Sequence, residues 1–92
     1  MNIPELKNNQ LAVLMADGAT GHVLNLDAQI SFNEEENIFL IFESIDEVYS
    51  FIRKKSAIND TIEFCIYNSK REMIEYIKAT RYNDTSDEKK PL

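Results

Sequence analysis

The hydrophobic period changes at Ser44, and that change limits the fold more than any other feature of the chain. Before it, short apolar segments run in strand-like patterns; after it, apolar residues recur at helical spacing. "SIDE", residues 44–47, forms a capping box, with Ser44 as N-cap and Glu47 three residues on. Ile45, Val48, Tyr49 and Ile52 then fall at i, i+3, i+4 and i+7, one stripe of an amphipathic helix. Asp46 and Glu47 sit in its first turn and Arg53, Lys54 and Lys55 in its last, each sign complementing the helix dipole. "AIND" ends the helix, with Asn59 as a left-handed cap. The expectation is a single helix over 45–58 that buries one face.

What precedes the helix reads as strands. "LAVLMA", residues 11–16, runs into Asp17-Gly18, a turn signal. Leu24, Leu26, Ala28, Ile30 and Phe32 then alternate with Val23, Asn25, Asp27, Gln29 and Ser31. That period of two predicts a half-buried strand over 22–32. "NEEEN" reads as a hairpin loop, and "IFLIFE", within 37–43, is apolar on both faces, as in a central strand. Three such segments in sequence predict an antiparallel meander.

After the helix, "TIEFCIY", 61–67, is a further strand with Ile62, Phe64 and Ile66 on one face and Cys65 on the other. "NSKREMIEYIKATRY" has two readings. A second helix over 70–82 is capped by Ser69 with Glu72; a turn at 68–71 instead returns a strand over 72–79. The hairpin is preferred, because it gives the preceding strand a neighbour. Residues 82–92 read as a disordered polar tail. The fold class is therefore α+β: one domain over 1–81, with an antiparallel sheet of four or five strands and the helix on one face.

Ninety-two residues bury a thin core. One cysteine makes no internal disulfide, and with one histidine it makes no structural zinc site, which needs about four ligands. No cofactor is implied. The apolar share of 43% suits a folded domain, and no apolar run approaches the ~18 residues of a membrane span. "MNIPELKNNQ" lacks the apolar stretch of a signal peptide, so the expected compartment is the cytoplasm.

Several chemical readings fail on residue type or spacing. "DGATGH" spaces its glycines G-x-x-G with no Gly-Lys-Ser/Thr and no helix behind them, so a strand-to-strand corner is expected rather than a phosphate loop. His22 and Cys65 are the only pair able to form a nucleophilic dyad, yet Cys65 lies mid-strand among apolar neighbours. Glu34, Glu35 and Glu36 have neither the alternation nor the glycine of a calcium loop. Arg53-Lys54-Lys55 is a small footprint for phosphate in an acidic chain. No enzymatic activity is expected.

Charge is the remaining signal. The net charge is −6, which disfavours nucleic acid and anionic membranes as partners. Between Lys7 and Arg53 there is no lysine or arginine, while Asp17, Asp27, Glu34, Glu35, Glu36, Glu43, Asp46 and Glu47 all fall there. Such a face either keeps a small protein soluble or steers a basic protein toward it. The sequence expectation is a protein-binding module, most specifically an immunity- or antitoxin-type inhibitor of a basic partner such as a nuclease toxin. Asp27, Glu34, Glu35, Glu36, Asp46 and Glu47 are the candidate contacts. The alternative is a homodimerising structural module that uses its sheet edge.

Overall fold

A computed structural model describes residues 3–31 and 37–82. The chain runs β1 (Leu11–Asp17), β2 (Phe39–Phe42), α1 (Ile45–Ile58), β3 (Ile62–Tyr67) and β4 (Met73–Ile77), closing with a 3-10 turn at Thr80–Tyr82. The four strands form one sheet in the order β2-β1-β3-β4, with every neighbouring pair antiparallel. β2 and β3 therefore run parallel to each other on either side of β1, and α1 is the crossover between them.

β1 is the central strand because its sequence is apolar on both faces. Val13 and Met15 point to the helix side, where Val48 and Ile52 of α1 meet Ile62, Phe64 and Ile66 of β3 and Leu24. Ala12 and Leu14 point the other way and pack with Phe39. Ile3 and Leu6 of the N-terminal arm cover that second face, together with Val23 and Ile38. The expectation of a central strand at 37–43 is corrected. Among the described residues β2 pairs with β1 alone, and Ile41, on its second face, is 47% exposed. Apolar residues on both faces did not separate an edge strand from a central one.

The helix forms over the expected residues, 45–58. Ser44 Oγ accepts from the Glu47 N–H at 3.2 Å, as the capping box requires. Glu47 reaches back one residue further than usual, its Oε1 accepting from the Glu43 N–H at 3.0 Å. Asn59 is extended (φ −141) and not the left-handed cap expected. Its Oδ1 instead accepts from the N–H and hydroxyl of Thr61, at 3.1 and 2.6 Å, and starts β3.

Of the strand predicted over 22–32, residues 22–31 are described, and they form no regular strand. Asn25 reverses the chain in the middle of it: Oδ1 accepts from the N–H groups of Asp27 and Gln29 at 2.9 and 3.0 Å. Its own N–H donates to Gln29 O at 2.7 Å, and Ala28 takes a left-handed conformation with φ 63. Two isolated bridges remain, Ala16↔Val23 and Leu24↔Ile30. An asparagine side chain that satisfies nearby backbone donors competes with a strand ladder, and here it prevails over the alternation. The meander is thus replaced by direct pairing of β1 with β2. Phe32 and Glu34–Glu36 lie outside the described residues, as do 83–92, so the expected hairpin loop and tail fall there for the most part.

After β3 the chain turns and returns as a strand, the preferred of the two readings. Asn68 Oδ1 accepts from Lys70 and Glu72 N–H groups at 2.9 and 3.0 Å, and Arg71 supplies φ 64. This is a three-residue hairpin loop with a left-handed residue before the returning strand. A register shift between Ile66 and Tyr67 then places a bulge in the β3–β4 ladder.

Both glycines have structural roles. Gly21 has φ +79 in the corner closed by the Asp17 N–H to His22 O bond of 2.8 Å. A Cβ on Gly18 would come within 2.9 Å of Ala79 Cβ and of Thr61 O. The C-terminal turn is seated against that same corner: Ala79 is buried, Arg81 N–H donates to Asp60 O at 2.9 Å, and the Arg81 guanidinium pairs with Asp60 at 3.1 Å.

Phe64, on the helix-facing side of β3, is fully buried and meets Phe51 of the helix edge-on, whereas Ile58 is 82% exposed. Phe64→Ala is expected to cost ~3–5 kcal/mol, and Ile58→Ala less than ~0.5 kcal/mol, in urea denaturation. Equal losses at the two sites would contradict this packing.

Candidate functional site

The acids singled out by charge occupy two places in the described structure. Asp27 is exposed at the tip of the Asn25–Gln29 turn. Ala28 beside it packs on the core cluster that includes Val48 and Ile52, which anchors this turn on the helical side of the sheet. Asp46 and Glu47 are exposed in the first turn of α1, where the dipole favours negative charge. Glu47 also has a structural role, since one carboxylate oxygen caps the helix. Glu34, Glu35 and Glu36 lie outside the described residues, so the acidic set is brought together only as far as Asp46 and Glu47 on one helical turn. Among the described residues the single ion pair is Arg81–Asp60. Asp27 and Asp46 are left without a cation there.

The His22–Cys65 pair is not assembled. Cys65 stands opposite Leu14 and Tyr76 in the sheet, whereas His22 closes the corner beyond Asp17. Three strand residues, about 10 Å, separate Leu14 from Asp17. The His22 imidazole contacts Thr20 Oγ1 through Nδ1 at 2.8 Å in solvent. Burial pushes the Cys65 thiol up, and the Glu63 carboxylate adds to it, so the reactive thiolate is disfavoured. Among the described residues no group of three or more His, Cys, Asp or Glu side chains is arranged to hold a metal ion. No helix among them is long and apolar enough to cross a membrane.

Sequence reasoning missed a second surface feature, on β4. Met73, Ile74 and Tyr76 are 55%, 49% and 49% exposed. The alternation in "EMIEYI" is broken by the bulge, so neither period two nor period 3.6 marks these side chains as outward. Glu75 and Tyr76 point to opposite faces and each joins a phenol–carboxylate bond. The Tyr49 hydroxyl donates to Glu75 across the helix–sheet gap, and the Tyr76 hydroxyl donates to Glu63 on the other face. Both acceptors hold their phenols in the protonated form. The bond to Glu63, with burial and its charge, pushes Tyr76 up to about 12. Tyr49 is raised by the bond to Glu75, and Tyr67 by burial beside Cys65.

With these elements in place, the comparison with known proteins is short: no family model matches the chain, and neither a curated protein nor a solved structure gives a significant match.

The phenols make the alkaline behaviour testable. A tyrosine whose folded pKa is raised adds stability that is fully present below its ordinary value of about 10. That contribution is lost as pH rises toward about 12 for Tyr76. Phenolate absorbance should show a late ionisation near that value, absent in Tyr76→Phe and moved down in Glu63→Gln. Cys65 should react with a thiol reagent at about pH 8 at least about tenfold more slowly in the folded chain than in denaturant.

Proposed function

We propose that this chain is a small acidic protein-binding module without catalytic activity of its own. In its most specific form it is an immunity- or antitoxin-type inhibitor that blocks a basic partner such as a nuclease toxin. The observation that carries the reading is the exposure of Asp27 and Asp46, unpaired with any cation among the described residues. They belong to a stretch that contains no lysine or arginine from residue 8 to residue 52. An enzyme that acts on a polyanion needs a cationic site, and an acidic surface complements such a site and speeds encounter with it. Glu34, Glu35 and Glu36 extend the same negative segment in sequence.

A second reading, a homodimerising module, draws on the exposed Met73, Ile74 and Tyr76 of β4. Its sheet edge is less open than the sequence suggests, because the bulge in the β3–β4 ladder interrupts the regular row of backbone donors and acceptors.

The test is retention of a partner from the host's lysate by the immobilised chain, washed at rising salt. Wild type is compared with Asp27→Lys/Asp46→Lys. A single stoichiometric basic protein, released by salt and held about tenfold more weakly by the variant, is the expected outcome. The variant should keep its stability within ~1 kcal/mol, since both positions are exposed. Equal retention by the two proteins would move the interface away from the acids.

A further inference from the structure

We propose that two copies of the chain pair through the outer face of α1, antiparallel, about a two-fold axis at Ser50. This goes beyond the partner reading and does not depend on it. The residues of that face are Asp46, Glu47, Arg53 and Lys54, all exposed, with Ser50, partly exposed, between them. None of the four charges forms an ion pair among the described residues. The i+4 positions from the two acids are Ser50 and Phe51, so neither acid has a base one helical turn ahead of it.

The arrangement of these charges is self-complementary. At ~100° per residue, Asp46 and Arg53 flank Ser50 on one side of the stripe, and Glu47 and Lys54 flank it on the other. At ~1.5 Å per residue, the acids lie about 4.5–6 Å before Ser50 and the bases about 4.5–6 Å after it. A two-fold axis level with Ser50 that reverses the helix direction keeps each side on its own side and exchanges its ends. Asp46 then comes level with the second copy's Arg53, and Glu47 with its Lys54, with both pairs occurring twice. Glu47 has one carboxylate oxygen engaged at the cap and the other free for this contact.

Two further features agree with an isologous contact. Ser50 is small, so the helices approach closely where they cross, and their antiparallel dipoles attract rather than repel. Ile58, 82% exposed, lies one turn beyond Lys54 and is carried toward the N-terminal end of the other helix. Its exposed side chain thereby gains cover that the monomer does not provide. The net charge of −6 on each copy opposes association, and exposed ion pairs are individually weak. The dimer is accordingly weak and depends on the local match of signs.

Reciprocal charge reversal tests the match. Asp46→Arg alone meets the other copy's Arg53 with a like charge, and Arg53→Glu alone does the same to its Asp46. Mixing the two variants restores opposite signs in both of these pairs of the heterodimer. Sedimentation equilibrium at up to about millimolar protein and about 50 mM salt keeps screening modest. The wild type is expected to rise toward twice the monomer mass, each variant to associate at least about tenfold more weakly, and the equimolar mixture to recover. Asp46→Arg also makes the chain less acidic, so general repulsion alone would make that variant associate more than wild type, and this result would overturn the proposal. A wild type that remains monomeric, or a mixture that recovers nothing, would equally overturn it. Circular dichroism of both variants establishes that the helix is intact.

Discussion

The double burial of β1 is the constraint on which the rest of the structure depends. A strand with Val13 and Met15 on one face and Ala12 and Leu14 on the other leaves no polar side to give to water. It has to lie inside the sheet, with a strand on each edge and a layer on each face. α1 supplies one layer. The described residues hold no second α-helix to supply the other, so the N-terminal arm does so with Ile3 and Leu6. The small side chains of Ala12 and Ala16, both buried, allow this thin cover to lie close to the backbone. The order β2-β1-β3-β4 follows, because the crossover helix must step over β1 to bring β3 to its free edge.

The helix was legible because three independent signals coincide there: a cap, a stripe and a charge order. Each rests on contacts within a few residues; the structure keeps the N-cap, the buried Val48 and Ile52 of the stripe and the acidic first turn, while of the three bases only Lys55 falls in the last turn. The segment 22–32 carried one signal, alternation, and lost to another that lay in the same letters. Asn25 and Gln29 are spaced to close a turn on Asn25 Oδ1, and four hydrogen bonds within five residues outweigh a ladder that would have needed a distant neighbour. Asn68 closes the β3–β4 turn in the same way, and there a polar stretch between two apolar runs made it readable. Which apolar strand is central depends on what covers its second face. For β1 that cover comes from the arm at residues 3–6, whose apolar content is too sparse to announce its role.

The candidate site was legible only as a sign. The absence of cations before Arg53 is visible in the letters, but exposure is not, and exposure decides whether a carboxylate is available to another molecule. Glu43 accepts from Gln10 at 2.8 Å, Glu63 from Tyr76 and Glu75 from Tyr49, so these acids serve the fold. Glu47 divides its oxygens between the cap and the outside. Asp27 and Asp46 are the described candidates that serve no such bond through their side chains. The distinction between a structural and an available acid comes from tertiary neighbours distant in sequence, such as the Tyr49–Glu75 pair.

The same helix dipole that stabilises α1 also sorts its surface charge, and the two proposals share that origin. Acids at the first turn and bases near the last lower the energy of a single copy, whatever else the chain does. Sorting a helix in this way leaves its exposed stripe with opposite signs at its two ends, and a stripe of that kind is complementary to its own antiparallel image. It is equally complementary, at its acidic end, to a basic protein. Asp46 cannot serve both proposed contacts at once, so a basic partner at that end of the helix would compete with a second copy. By linkage, whichever contact is stronger draws the population from the other. In the proposed dimer the ion pairs are weak, so displacing the second copy would cost little, and a basic partner would also engage this chain's Asp27, which the self-contact does not use.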